Sequence, residues 1–120
     1  SDLRENMSLW KWNNVELEID MEDVEFQERY ENAFQHLEEK EKKLVKTGKL
    51  SEISKSYCKM FWELFDELFG EGTAQRLFEG KMNTGLCDEC YDSFISYCQK
   101  QVNEINKKRS SRFAKYKVKK

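Results

Sequence analysis

The sequence predicts an α+β fold that is mostly α: an N-terminal β-hairpin or short strand, three main helices and a short connecting helix. Three observations lead to this prediction. Apolar and polar residues alternate only over residues 9–19. After residue 20, apolar residues recur at three- and four-residue steps, which is the spacing of one helix face. The chain contains no proline that would break such helices.

The hairpin is predicted from the segment LWKWNNVELEI, residues 9–19. Its apolar residues occupy alternate positions on the two sides of an Asn-Asn pair: Trp10, Trp12, Val15, Leu17 and Ile19. An Asn-Asn pair favours a turn, and alternation with a period of two predicts a strand with one buried face. We expect residues 15–19 to form a strand and the whole segment to form a hairpin.

The first two long helices are predicted from helical spacing and from their end signals. The first covers about residues 21–46, with Asp20 as its N-cap, and stops at Gly48. The second begins at Ser51 and stops at Gly70. Its apolar residues form a face wide enough for two neighbours. We therefore expect the second helix to form the centre of the core.

A short helix is predicted inside LFGEGTAQRLFEGK, where two glycine-containing stops lie close together. Thr73 is expected to cap this helix, which runs to about Glu79 and ends at Gly80. The third long helix begins at Asn83 or Thr84. Its apolar residues share one face: Cys87, Tyr91, Phe94, Cys98, Val102 and Ile105.

Length and charge predict a single α-rich domain, residues 1–109, and a basic C-terminal tail, residues 110–120. A chain of 120 residues with 38% hydrophobic content can bury one core. Residues 1–106 hold 13 basic and 23 acidic residues, a net charge of −10. The tail is either a helical continuation or a mobile arm. The remaining eight basic residues, with no acidic one, are Lys107, Lys108, Arg109, Arg112, Lys115, Lys117, Lys119 and Lys120.

No group of residues matches a catalytic, cofactor or metal site. Cys87-Asp-Glu-Cys90 is one cysteine pair, whereas a structural zinc site needs four ligands, and Cys58, Cys98 and His36 supply no second pair. We expect reduced cysteines that are buried or half-buried. A lone histidine on a charged helix is expected to be solvated. The sequence therefore predicts a non-enzymatic protein without metal or cofactor.

Membrane and secretory signals are not expected in this chain. Its longest apolar run is residues 60–62, far below the ~20 residues that span a bilayer. Residues 1–6 lack the basic segment and apolar core of a signal peptide. We expect a cytoplasmic protein.

Two features predict a binding partner. The aromatic set that includes Trp10, Trp12 and Trp62 exceeds what a small core encloses easily, so these residues are either core or an exposed patch covered by a partner or another copy. The basic tail also carries Phe113 and Tyr116. It suits nucleic-acid phosphates, an acidic protein partner or the acidic body of the same chain. The predicted partner-binding residues are Trp10, Trp12, Trp62, Lys107, Lys108, Arg109, Arg112, Lys115, Lys117, Lys119 and Lys120.

The segment FWELFDELFGEGTAQRLFEGKMNTGLCDECYDSF, residues 61–94, resembles a pattern of small tail assembly chaperones from long-tailed phages and prophages of Gram-positive bacteria. That pattern reads FFDEVFGEGTA…FGGK and precedes a short helix start. NNVELEIDMEDVEFQERYENAF is also similar to the beginning of these proteins, so the resemblance covers about residues 13–102. The matched positions are Phe65, Phe69, Gly70, Gly72, Thr73, Ala74, Phe78, Gly80, Lys81 and Asn83.

The resemblance implies a chaperone that binds the tape-measure protein, and tail-tube subunits, in the cytoplasm of the bacterial host. The cysteine-rich third helix and the basic residues from Lys107 onward depart from the family's pattern. One alternative is a phage-encoded inhibitor or adaptor of a host nucleic-acid-handling complex. Its acidic body would imitate a phosphate backbone, or its basic tail would contact nucleic acid.

Overall fold

The computed structural model describes residues 8–118, which form a β-hairpin followed by four helices. This architecture confirms the predicted fold class, with three long helices and a short connecting one. None of these helices combines the length and the apolar content that crossing a membrane requires. The elements are β1 Leu9–Trp12, β2 Val15–Glu18, α1 Val24–Lys42, α2 Leu50–Phe69, α3 Thr73–Leu77 and α4 Thr84–Val118.

The hairpin forms as the alternating pattern predicts. β1 and β2 are antiparallel, and Trp10 lies opposite Leu17. Asn13 in the turn has a φ of 53°, a left-handed conformation that asparagine tolerates better than most residues. Its Nδ2 donates to the carbonyl oxygen of Leu77 at 3.1 Å. The turn is therefore attached to the end of α3.

The start of α1 corrects one predicted cap. Asp23, and not Asp20, is the N-cap, because its carboxylate accepts from the backbone N–H of Phe26 at 3.2 Å. The carboxylate of Asp20 instead accepts from the N–H of Glu22 at 3.0 Å. The side chain of Asp20 thus satisfies a local turn, which delays the helix by one turn.

The end of α1 is also earlier than predicted. The helix stops at Lys42, and the remaining residues up to Lys49 connect it to α2. In this connection the N–H of Val45 donates to Oγ of Ser56 at 3.2 Å. The Ser56 side chain of α2 therefore accepts the hydrogen bond that the N–H of Val45 would donate within a longer α1.

The junction of α2 and α3 confirms one predicted signal and corrects another. Gly70 ends α2 with a φ of +110°, which favours glycine. Thr73 does not cap α3; it is buried, and Gly72 occupies the N-cap position. The free N–H of Ala74 donates to Oδ1 of Asp66 at 2.8 Å. A carboxylate from the preceding helix thus replaces the predicted local cap.

The start of α4 resolves two alternatives. The Oδ1 of Asn83 accepts from the N–H of Leu86 at 3.1 Å, so Asn83 is the residue that caps the helix and Thr84 is its first residue. The helix then continues without interruption to Val118. Residues 110–118 are therefore helical, which is one of the two conformations considered for the tail.

Contacts between side chains show the directions of the long helices. α1 is antiparallel to α2, because residues later in α1 pair with residues earlier in α2: His36 with Glu67 and Lys40 with Glu63. α4 is parallel to α2, because the contacts advance together: Tyr57 with Asp88, Phe61 with Tyr91 and Phe65 with Phe94. The end of α1 and the starts of α2 and α4 therefore share one end of the molecule, which we call the loop end.

The core lies where the hairpin and the four helices meet, and α1 contributes buried Phe26, Ala33 and Leu37 to it. Trp10 stacks on Phe65 at 5.8 Å between ring centroids and packs edgewise on Phe94 at 5.3 Å. This confirms that α2 supplies the centre of the core. Burial of these large apolar groups is the main stabilising contribution. The largest fully buried side chains are Phe65, Phe78, Phe94, Ile19, Leu64, Leu68 and Leu77.

The segment after the hairpin is attached to α4 by one side chain. Gln101 accepts from the N–H of Met21 at 2.6 Å and donates to the carbonyl oxygen of Ile19 at 2.7 Å. The carbonyl and the NH₂ group of the Gln101 side chain each form a hydrogen bond. Both partners are backbone groups that lie outside the β-strands. Gln101 therefore holds residues 19 and 21 against a helix position that is 80 to 82 residues later.

Candidate interaction surfaces

The structure separates the three predicted partner-binding tryptophans. Trp10 is 2% exposed, and its Nε1–H donates to Oγ of Ser93 at 3.1 Å. Trp10 is therefore a core residue and offers no surface to a partner. Of the two interpretations considered, core residue or exposed patch, the first applies to Trp10.

Trp12 and Trp62 are half-buried and pack against the core. Trp62 stacks on Phe78 at 5.9 Å, and its Nε1–H, although buried, contacts no acceptor within the described residues. These two tryptophans lie near the end of α3, because Phe78 directly follows that helix and Asn13, next to Trp12, bonds to Leu77.

The four cysteines are buried and reduced, as expected. Burial raises the pKa of Cys90 and of Cys98 to about 12. Burial and the adjacent Cys58, which hydrogen-bonds to Cys87, raise the pKa of the Cys87 thiol as well. These thiols are therefore protonated at neutral pH, which disfavours both nucleophilic attack and metal binding. Within residues 8–114, no three His, Cys, Asp or Glu side chains are grouped as a metal would require.

Two exposed polar pairs join the helices. Nδ1 of His36 lies 2.9 Å from the carboxylate of Glu67, and the His36 side chain is 52% exposed, as expected for a solvated histidine. The hydroxyl of Tyr57 donates to the carboxylate of Asp88, and this bond raises the pKa of Tyr57 to about 12. Cys87 and Asp92 also lie near Tyr57, but the buried Cys87 thiol, whose pKa is raised, is not an activated nucleophile. Both pairs are better explained as contacts between neighbouring helices.

Exposed apolar side chains mark a surface that the sequence did not indicate. Leu50 is 78% exposed, Met82 is 46% exposed and Val45 is 44% exposed. All three belong to the loop end: Val45 follows α1, Leu50 begins α2 and Met82 precedes α4. We call these three residues the loop-end patch. The predicted first helix, residues 21–46, includes Val45, and no pattern in the sequence distinguishes exposed Leu50 or Met82 from core residues.

The opposite end of the molecule holds a cleft with a volume of about 610 Å³. It lies between β2, the start of α1 and the end of α2, and half-buried Leu17 and Phe69 contribute apolar surface to it. Arg29 is the basic residue among its lining, and it also lies over the Phe26 ring at 5.5 Å. We call this the acidic cleft, after its lining carboxylates: Glu16, Glu18, Asp20, Asp23 and Glu67.

The end of α4 carries the predicted basic tail. Residues 106–114 are all exposed, including Phe113 at 65%. Nζ of Lys108 lies 3.1 Å from a carboxylate oxygen of Glu22, just before α1. Arg109 and Arg112 are exposed, as is Lys107, which pairs with Glu104 at 3.8 Å. The side chains of Lys115 and Lys117 lie outside the described residues, and so do Lys119 and Lys120 entirely.

Comparison with known proteins gives one match. The model of a family described as a family of unknown function, DUF6673, matches residues 13–120. No curated protein matches the chain. No solved structure matches it either.

Proposed function

The chain belongs to DUF6673, a family of unknown function, and from that premise we propose that it is a non-enzymatic tail assembly chaperone of a long-tailed phage. It acts in the cytoplasm of the bacterial host, where it binds the tape-measure protein and tail-tube subunits. The resemblance of residues 61–94 to tail assembly chaperones motivates this proposal. The single structural observation that supports it is the loop-end patch.

The loop-end patch suits a client with apolar helical segments. Leu50 and Met82 expose branched or flexible apolar side chains at the end of the molecule where α1 stops and α2 and α4 begin. Exposed apolar groups gathered at one place are typical of protein interaction sites. Methionine adapts to clients of different shape. A long, aggregation-prone helix could be covered by such surfaces, one copy after another.

The matched motif itself has a structural role. Gly70 and Gly72 adopt positive φ, and buried Ala74 and Phe78 place α3 against α2. This junction turns the chain back so that α4 begins at the loop end beside α2. The residues of the resemblance therefore position the proposed binding surface and do not form it.

A variant of the loop-end patch tests the proposal. We expect Leu50→Ser combined with Met82→Ser to reduce retention of a co-expressed tape-measure protein at least tenfold, because each apolar side chain removed from a buried contact costs about 1.5 kcal/mol or more. Co-purification and light scattering of the client measure the effect. Val24→Ser is the matched control, because Val24 is 61% exposed but lies at the start of α1, away from the loop end.

Two outcomes would reject the chaperone proposal. One is wild-type protein that neither retains the client nor suppresses its aggregation. The other is undiminished binding by the double variant, which would show that the client uses a different surface.

The exposed basic end of α4 favours one second candidate, an inhibitor or adaptor of a host nucleic-acid-handling complex. Arg109 and Arg112 on an exposed helix are suited to contact phosphates. Capture from host cells, with the full chain and with a chain ending at Asn106, distinguishes the two candidates. Capture of a nuclease, a polymerase or nucleic acid that is lost at high salt or on truncation supports the inhibitor or adaptor. Capture of a tail protein by both chains supports the chaperone.

A further inference from the structure

The exposed end of α4 combines two chemistries that favour burial against a partner. Phe113 exposes 65% of its surface, and it lies among cations on a helix whose side chains from 106 to 114 are all exposed. An exposed aromatic side chain surrounded by charge is typical of the centre and rim of an interface. Two such ends cannot pair with each other, because residues 107–120 carry eight positive charges and no negative one.

The acidic cleft is complementary to this helix end in both respects. Leu17 and Phe69 give it an apolar floor, and its volume of about 610 Å³ accommodates an aromatic side chain. Five carboxylates and one guanidinium, that of Arg29, line it. In this cleft, the Phe113 ring would contact apolar surface, and the neighbouring Arg109 and Arg112 would face carboxylates.

The cleft of the same chain is not reachable. Lys108 contacts Glu22 beside the start of α1, so the base of the basic segment is fixed next to cleft residues Asp20 and Asp23. From there α4 continues as an unbroken helix to Val118, and Phe113 lies five residues, about 7.5 Å, beyond Lys108 along the helix axis. A helix that keeps its backbone hydrogen bonds does not turn back over so short a distance.

The base of the basic segment and the cleft lie at the same end of the molecule. A two-fold axis placed beyond that end brings each helix end to the cleft of the other copy, and both contacts form together. Such an arrangement is closed, so it stops at two chains.

We propose that this chain forms a two-fold dimer in which the end of α4 of each copy, with Phe113 at its centre, docks in the acidic cleft of the other. The dimer does not depend on the function proposed above, because it uses neither the loop-end patch nor a client. It occupies the surfaces at the opposite end and leaves the loop end of each copy accessible.

Charge-reversed variants of the full chain test the dimer by light scattering coupled to size exclusion, after nuclease treatment. Wild-type protein is expected to show twice the 14.5 kDa chain mass. Arg109→Glu with Arg112→Glu, and separately Glu16→Lys with Glu18→Lys, are expected to give the single-chain mass, because each places like charges in both contacts. Phe113→Ala is expected to shift the dimer to monomer at equal concentration.

Mixing the two charge-reversed proteins is the decisive step. In the mixed pair, the introduced carboxylates at positions 109 and 112 meet the introduced ammonium groups at positions 16 and 18, and the other contact keeps its native charges, so the double mass is expected to return. A chain carrying all four substitutions is expected to dimerise alone for the same reason. Glu38→Lys with Glu39→Lys is the matched control; it reverses two exposed charges near the end of α1 and is expected to leave the dimer intact.

Three results would overturn the proposal: wild-type protein of single-chain mass at every concentration, a dimer insensitive to both reversals, or no recovery on mixing although circular dichroism shows both variants folded. A further contrary result is a larger mass that disappears on nuclease treatment. That result would assign the basic helix end to nucleic acid.

Discussion

At the scale of single residues, the structure distinguishes aromatic side chains that look alike in the sequence. Trp10 and Trp12 are two positions apart and share one face of the hairpin, yet Trp10 is buried against Phe65 and Phe94 while Trp12 is only half-buried. Trp12 adjoins the turn and lies opposite Val15, whereas Trp10 lies opposite Leu17. Their contributions to stability should differ accordingly.

We expect Trp10→Ala to lower the free energy of unfolding by about 3–5 kcal/mol, because it removes a large buried side chain and leaves a cavity. Ser93→Ala should cost only about 1 kcal/mol, because it removes the hydrogen-bond partner of the indole N–H but keeps the packing. Urea unfolding measures both. Trp12→Ala is the control, and a loss as large as that of Trp10→Ala would contradict the assigned core.

The buried cysteines lead to a second prediction at this scale. Because Cys58, Cys87, Cys90 and Cys98 are at most 3% exposed, and burial raises the thiol pKa of the last three, we expect the native chain to resist thiol-modifying reagents. At about pH 8, the reaction with a chromogenic disulfide should be at least 100-fold slower than in urea. Rapid modification of even one thiol in native protein would contradict this burial.

Burial was only partly predictable from the sequence. The spacing of apolar residues placed Phe94, Cys87 and Cys98 on the inner face of α4, and they are buried. The same reasoning could not identify Leu50 and Met82 as exposed, because exposure depends on which elements end beside them. Helical spacing describes one element, whereas burial is a property of the elements around it.

At the scale of elements, the helix ends show the same limit. The stop at Gly70 was predicted correctly, and Asn83 was one of the two caps considered for α4, since both signals depend on local backbone preferences. The sequence favours Asp20 over Asp23 because both residue types are good caps, but the carboxylate of Asp20 satisfies a local turn and Asp23 caps the helix. The cap of α3 could not be inferred from neighbouring residues, since Asp66 belongs to the preceding helix.

The Asp66 contact yields a prediction for the α2–α3 junction. We expect Asp66→Ala to lower the free energy of unfolding by about 1 kcal/mol, because the N–H of Ala74 loses its acceptor in a partly buried place. Asp66→Asn should lose less, since the amide oxygen still accepts. Thermal unfolding followed by circular dichroism gives the comparison. Glu71→Ala is the matched control in the exposed linker, and an equal effect there would argue against the cap.

At the scale of the whole molecule, the arrangement of the helices was not predictable, although their number and order were. Fourteen residues connect α2 to α4, enough to place α4 either parallel or antiparallel to α2. The parallel choice follows from contacts between distant residues, such as Phe65 with Phe94. It is this choice that places the loop-end patch at one end and the acidic cleft at the other.

The folded chain should lose stability in alkali. Burial raises the pKa of Tyr30 from 10.0 to about 12, and that of Cys90 and Cys98 from 9.0 to about 12. The hydrogen bond to Asp88 raises the pKa of Tyr57 from 10.0 to about 12. Because these groups release protons more readily when unfolded, their ionisation favours unfolding as pH rises above 9 and levels off near 12. Stability below pH 9 is not affected by them.

Urea midpoints measured between about pH 7 and pH 11 under reducing conditions should therefore fall steeply above pH 9. Tyr57→Phe should reduce the steepness of this fall, since one raised group is removed. A midpoint that stays constant to pH 11 would contradict the burial of these groups.

The attachment of the hairpin to α4 has a consequence for synthesis of the chain. The ribosome makes Trp10 and Ile19 early, but their partners Ser93 and Gln101 come more than 80 residues later. Until α4 has left the exit tunnel, Trp10 and Phe65 lack their packing partner Phe94 and remain exposed. The nascent chain can then bind holdase chaperones or aggregate. Native folding therefore waits until α4 has emerged, and a chain that is stalled or truncated before Ser93 would be an early target for proteolysis.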